Sequence, residues 1–572
     1  MKTKEDLRRL LLSIDHKGYP AYKETKGKWS WGNYVLSIDH VQGDPFATPS
    51  GVSVIVPGKT ADFPEAYVKE DHRRIALQDH LLRLLGEKLV QRERSYAGSG
   101  KSGLVTTSRP GQEVLERTAC RIEPADGQVT LRFQVGFPAN GRTINARELL
   151  RILEEQLPET VEKTLMRQNL NQKALEGVID LADDRKYIRS QLEERGLCAF
   201  IADGSILPRK SGVSSLPMQN AVPFKSPESM AVIMELPHHG SLRGMGIRKG
   251  ITLIVGGGYH GKSTLLQALE MGVYDHIKGD GREYVITDPQ AVKIRAEDGR
   301  SIVGTDISVF IQDLPNGKDT VRFTTEDASG STSQAANVVE AMEAGCSLLL
   351  IDEDTSATNF MVRDSLMASV VSPDKEPITP FVSRIRDLYE TSGVSTILVA
   401  GSSGAFFHEA DTVILMDRYI PCDITGKAKA AAALEGDGLR KTIPEGRKYH
   451  GISQNRIPEA DRALLREQRI KLKTLSDDSF LIAHNEVDLR GLEQIADREQ
   501  TAALAYMLKY MQLHLLDGKT SLPQAARKML ALANRQGLEI LFEGSAPGNG
   551  LAQVRLAELC GMLNRFRNLR IK

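Results

Sequence analysis

Residues 256–264 read GGGYHGKST, and within them Gly256, Gly261, Lys262 and Ser263 satisfy the G-x-x-x-x-G-K-[ST] spacing of a phosphate-binding loop. Glycines at Gly256, Gly257, Gly258 and Gly261 let backbone N–H groups, including those of Tyr259, His260 and Thr264, converge on phosphate oxygens with no Cβ in the way. A helix opening at Lys262 aims its positive end at the same anion. Lys262 is then placed to reach β and γ phosphates, and the Ser263 hydroxyl to ligand Mg²⁺. His260 is an unusual residue for such a loop; it either touches phosphate or fills a turn position.

A second group of residues complements the first. The stretch CSLLLIDED ends four apolar residues, Leu348 to Ile351, in a row of acids. A buried strand ending this way supplies Asp352 as a Mg²⁺ holder and Glu353 as the general base for an attacking water. Upstream, ASGSTSQAANVVEAMEAG is a small-residue turn feeding a helix. Ser329, Gly330 and Ser331, with Ser333 and Gln334, present hydroxyls and N–H groups at that helix start, a second anion-binding end.

These residues need elements to hold them. Leu253, Ile254 and Val255 form a strand before the glycine turn, and Leu265, Leu266 and Leu269 the buried face of a helix after it. At 572 residues the chain is too long for one core and is expected to hold about three domains. We place them at 1–195 (α/β), 196–420 (the nucleotide-binding core) and 421–572 (mainly helical). In the first, helices are expected over 4–14, 65–92, 146–156 and 173–194, with strands over 34–41, 52–57 and QVTLRFQVGF. In the last, helices are expected over 459–472, 488–515, 523–534 and 552–566.

Formal net charge is zero, but residues 251–420 are acidic by about twelve and 421–572 basic by about six. Such asymmetry points to a nucleic-acid surface or to solvated helix faces. No run reaches the length of a membrane helix, and charges interrupt the apolar cluster of MKTKEDLRRLLLSIDH; a cytoplasmic protein without membrane contact is expected. Cys120, Cys198, Cys346, Cys422 and Cys560 lack C-x-x-C spacing and are read as buried thiols.

Three weaker signals remain. The run GSGKSG mimics a phosphate loop through Gly98, Gly100, Lys101 and Ser102, but position 95 is Ser and the approach LVQRERSYA is charged. It is read as a loop, offering Lys101 and backbone N–H groups to a phosphate backbone or simply facing solvent. Arg117, Arg121, Arg132 and Arg142 are candidates for a basic strip. The end, LNRFRNLRIK, groups Arg565, Arg567, Arg570 and Lys572 around Phe566, which suits a nucleic-acid strand or a helix C-terminus. Phe224 lies upstream of the glycine turn, where an aromatic could stack on a base or belong to the core.

Taken in order, the glycine turn, Gln312, the Ser-Gly turn with its helix, LLLIDE and DTSATN resemble the ABC-class ATPases. GGGYHGKSTLL, GDGRE, AEDGR, TEDASGSTSQAAN and LLLIDEDTSATNFMVRD bring the chain closer to the soluble family labelled predicted ATPases of the ABC class. That similarity runs over nearly the whole chain. It implies an α/β fold, an ABC-type P-loop core flanked by an α/β N-terminal domain and a mainly helical C-terminal domain. It implies ATP and Mg²⁺ as cofactors, ASGSTSQ as the signature loop, Gln312 as the Q-loop residue acting on metal and catalysis, and Asp354 to Asn359 as the D-loop. It also implies hydrolysis by a homodimer that sandwiches two nucleotides. A mitochondrial relative in the family is an RNA-binding ATPase, which implies RNA or other nucleic acid as partner. The competing reading is an ATP-dependent protein-interaction switch. The chain departs from the class at its signature, ASGST in place of LSGGQ, and where a switch histidine is expected it carries Gly401, Ser402 and Ser403, with His408 too late.

Overall fold

The computed structural model describes residues 1–90, 98–363, 376–401, 403–435, 449–453, 455–545 and 548–572. They form two compact units, Met1–Asp183 with Leu532–Gln553, and Asp184–Ala531 with Val554–Lys572.

The first unit is built on a seven-stranded sheet. Its strand Val129–Val135, VTLRFQV, alternates along its length, so Val129, Leu131, Phe133 and Val135 are buried while Thr130, Arg132 and Gln134 are less so. The helix Lys4–Ile14 starts at a capping box of Thr3 and Asp6 and buries Leu7, Leu11 and Ile14. The single helix expected over 65–92 is instead two, Glu65–Lys69 and Asp71–Val90, because Glu70 is extended. Arg74 stabilises the break, its guanidinium donating to the Val68 and Lys69 carbonyls that the short helix leaves open. The helix expected over 146–156 runs on to Leu165 through a widened turn at Ile152–Gln156. Pro158 follows that turn and has no N–H to give it.

The expected basic strip does not form on the first unit's surface. Arg117 is buried, and Arg121 and Arg132 each donate to Glu539 at 2.9 Å. The sheet's side chains are thereby charge-matched by a segment that comes late in the chain.

The second unit centres on a six-stranded sheet ordered Ala291–Ile294, Leu348–Asp352, Ser395–Val399, Ile251–Val255, Thr412–Asp417, Ile420–Asp423. The first five strands are parallel and the last is antiparallel. LLLID is buried throughout, as befits a central strand covered on both faces. A four-stranded antiparallel sheet, Ala231–Leu236, Gly240–Arg248, Leu197–Ala202 and Val285–Thr287, belongs to the same unit.

The C-terminal region carries the helices Arg498–His514, Leu522–Gln536 and Leu556–Arg565. Two expected helices are corrected there. Residues 459–472 keep only the turn Arg462–Leu465, the helix expected over 488–515 starts at Arg498, and a three-stranded sheet, Leu472–Thr474, Ser479–Ile482 and Asn485–Asp488, occupies the stretch between the two. Phe480, Ile482 and Val487 are buried at strand spacing, and the polar turns SDD and AHN separate the runs.

Candidate functional site

The glycine turn follows the strand Ile251–Val255 and feeds the helix Lys262–Met271. Gly256 (φ 142°) and Gly261 (φ 97°) lie in backbone conformations that side chains rarely adopt. A Cβ at Gly256 would stand 2.5 Å from the Met416 carbonyl oxygen, and one at Gly261 2.6 Å from the Tyr419 ring. Tyr259 is the exception: a bulky residue at φ 65°, fully exposed. The Lys262 ammonium lies in the turn, donating to the carbonyls of Gly256 (2.8 Å) and Gly257 (3.0 Å). Ser263 is exposed at the helix start and Thr264 half-buried beside it.

Register aligns the acids with this turn. Asp352 pairs with Val399, and Val399 pairs with Ile254, so the three share one row across adjacent parallel strands. At ~4.8 Å per strand, Asp352 lies about 10 Å across the sheet from the start of the glycine turn. Open parallel sheets bind ligands at this carboxyl edge. Asp352 is buried and accepts the Asp354 N–H at 3.2 Å. Glu353 accepts the Gly401 N–H at 2.5 Å. A backbone amide thus holds the candidate base in the neighbourhood where the class pattern expects a histidine; Ser402 lies outside the described residues.

The Ser-Gly turn behaves as its sequence suggests. Ser329 caps the helix Gly330–Ala344, its oxygen accepting from the Thr332 N–H, and it is exposed. Gly330 is half-buried, but Ser331 turns inward and donates to Asn359 Oδ1 at 2.5 Å. That hydroxyl joins the signature-like turn to the end of DTSATN. Small residues let the rest of the helix bury itself, and its carboxylates are neutralised internally. Arg300 pairs with Glu340, Arg456 with Glu343, and Arg565 with Glu297, which itself accepts from Asn337 at 2.9 Å. Burial pushes the Glu343 carboxyl up, and Arg456 opposes the shift.

Gln312 is half-buried in a separate turn, its amide nitrogen donating to the Ser308 carbonyl at 2.7 Å. The structure gives it no bond to Ser263 or Asp352. His260 fills a turn position: its Nδ1 accepts the Arg418 N–H at 3.1 Å and lies 3.1 Å from Asp417 Oδ1. Phe224 is core, 2 % exposed.

The two basic signals change character. Phe566 is 1 % exposed and Arg565 is buried in its pair with Glu297, so the C-terminal group is not a surface with an aromatic to stack. Arg567 donates to the Glu326 and Gly299 carbonyls, and Arg570 faces Asp461 at 3.5 Å. In GSGKSG the N–H groups of Ser99, Lys101 and Gly103 donate to the carbonyls of Ala139, Pro45 and Gly136, leaving the exposed Lys101 ammonium as the group the loop offers. Ser95 and most of the charged approach lie outside the described residues.

Sequence reasoning missed the turn Asp417–Ile420, which touches the glycine turn, and the amide of Gly401. Both act through backbone atoms, which leave little trace in residue type. Among the described residues no helix is long and apolar enough to cross a membrane.

Residues 171–448 match a family model described as the ABC_ATPase P-loop domain, residues 4–168 one described as the ATPase of the ABC class N-terminal, and residues 471–572 one described as the MRB1590 C-terminal domain. The uncharacterized protein MJ1628 of Methanocaldococcus jannaschii is 35% identical over 229 residues, 38% of this chain and 50% of that protein. The chain thus spans about half the length of the curated relative it matches. Among solved structures, cbiO1 from Clostridium perfringens, part of the transporter complex cbiONQ, covers 37% of this chain and 95% of its own at 15% identity and a TM-score of 0.24. The ADP conformation of MJ1267, an ATP-binding cassette, covers 35% and 92% at 11% identity and a TM-score of 0.23. The three family models follow one another along nearly the whole sequence, and the chain belongs to the ABC-class P-loop ATPases.

Proposed function

We propose that the chain binds MgATP at residues 256–264 and hydrolyses it as a homodimer. Each of two nucleotides would lie between the glycine turn of one protomer and the Ser329–Gly330 turn of its partner. The observation that carries hydrolysis is the Gly401 N–H bond to Glu353, which fixes a carboxylate one residue beyond the Asp352 row. Two exposed, positively polarised helix starts on one chain support the sandwich.

In this reading Lys262 leaves the Gly256 and Gly257 carbonyls to neutralise the β and γ phosphates. Ser263 and Asp352 would hold Mg²⁺, with the Gln312 side-chain oxygen as a further ligand while its nitrogen keeps Ser308. The metal, when bound, neutralises charge on the phosphate oxygens. Glu353 takes the proton of the attacking water as the new P–O bond forms and the bond to the β-phosphate oxygen breaks, releasing ADP. The partner's Ser-Gly turn completes the γ-phosphate's coordination.

We assign the work of this cycle to nucleic acid, RNA first. The match of residues 471–572 to the MRB1590 C-terminal domain supports it, as does the positive balance of 421–572. Burial of Phe566 and Arg565 favours the second reading, a protein-interaction switch. Glu353→Gln keeps an acceptor for Gly401 but cannot act as base, so closure is expected to persist once ATP is bound. Sedimentation of that variant with MgATP should show a stable dimer, abolished by adding Ser329→Arg; a monomer with ATP bound refutes the sandwich. The same variant recovered from lysate with and without nuclease separates the partners: loss of captured RNA or DNA with no protein retained supports nucleic acid, and nuclease-resistant protein supports the switch.

A further inference from the structure

The nucleoside's place is not given by the phosphate cradle, and the turn joining Thr412–Asp417 to Ile420–Asp423 supplies one. Its two central residues, Arg418 (φ 48°) and Tyr419 (φ 70°), both occupy the left-handed region that Asn-Gly ordinarily fills in such hairpins. A bulky side chain held there marks a place where something other than turn stability is favoured. Contacts with the glycine turn fix the hairpin tip: the Arg418 N–H donates to His260 Nδ1 and the Tyr419 N–H to the His260 carbonyl at 3.0 Å. The Tyr419 ring lies over Gly261, where an added Cβ would meet it at 2.6 Å, yet the residue remains 40% exposed.

Sheet order decides what this ring faces. Asp352 and Glu353 end a strand two places to one side of Ile251–Val255, and the hairpin begins on the neighbouring strand to the other side. A triphosphate whose γ end points to the acids therefore carries its α-phosphate and nucleoside toward the hairpin. Phe224, the aromatic upstream of the glycine turn, is packed away in the core, while Ser229 of the upstream segment bonds Asp423 at the hairpin's far end at 2.6 Å. We propose that Tyr419 is the base-stacking residue of this site, receiving the purine of a nucleoside triphosphate on its open side. The proposal rests on the phosphate-cradle reading of residues 256–264. Every base has a π-face, so a stack of this kind discriminates weakly between bases.

Calorimetric titration with MgATP and with Mg-tripolyphosphate, which has no base, tests it. Tyr419→Gly suits the turn and removes the ring; ATP affinity is expected to fall roughly 5- to 100-fold, within the range for one stacked base, with tripolyphosphate affinity unchanged. Tyr419→Phe is expected to match the parent with both ligands. Equal losses for both ligands in Tyr419→Gly, or no loss for either, overturns the assignment. Lys262→Ala distinguishes the underlying reading, since it must weaken both ligands; if it weakens neither, the cradle itself is misplaced.

Discussion

Glu270 lies in the last turn of the helix that begins at Lys262, 6% exposed, with Lys293 Nζ 4.0 Å from its carboxylate. Burial raises its pKa from 4.5 to about 8; the Lys293 ammonium pulls it down and Glu493 pushes it up. Because the folded value lies above the unfolded one, the stability contributed by the protonated carboxyl is complete below about pH 4.5 and is lost as pH rises through 8. Glu270→Gln keeps the shape and never ionises. The shift corresponds to on the order of 3–5 kcal/mol at full ionisation, or about 5–10 °C in a unit of this size. Thermal unfolding of parent and variant across pH 4.5 to 9 reads this directly. The two should coincide at the acid end and diverge through the window, with the variant the more stable above pH 8. A parent as stable as the variant at pH 9 refutes the argument.

Four further outcomes are expected. Lys262→Ala should abolish tight ATP binding and turnover, measured by calorimetry and phosphate release, whereas Lys101→Ala should leave ATP affinity unchanged. Arg565→Ala strands Glu297 in the interior and should cost about 3 kcal/mol by denaturant unfolding. Any nucleic-acid affinity should fall log-linearly with salt, and Arg565→Ala should leave that slope unchanged, because its guanidinium is committed to Glu297 and not to phosphate. Tyr259→Gly should raise stability by about 1 kcal/mol, since glycine accepts φ 65° without strain; a loss would mean the exposed ring packs on something.

The core was legible where chemistry depends on side-chain type at fixed spacing. The glycine turn, LLLID and the Ser329 cap are local, each encoded within about a dozen residues. Legibility failed where the chain's charges find distant partners. Arg121, Arg132 and Arg565 look like a nucleic-acid surface in sequence, yet Glu539 and Glu297, hundreds of positions away, consume them. The strands of residues 472–488 fall in the stretch between the helices expected over 459–472 and 488–515, and each is only three or four residues long, too short to show an alternation of its own. The bond from Gly401 to Glu353 has no sequence signature at all, being made by a main-chain amide.

The first unit is completed by Leu532–Gln553, about 350 residues after Asp183. At ~5–20 residues per second of synthesis, the ribosome spends on the order of 20–70 s making the intervening chain. Throughout that interval Arg121 and Arg132 lack Glu539, and Thr118 lacks the Leu551 carbonyl that accepts its N–H at 2.9 Å. The second unit waits as well, since the Arg565 that neutralises Glu297 follows it by 268 positions. In a cell, the newly made chain would carry these two arginines and this amide without their late partners for tens of seconds, the interval in which a chaperone has most to do.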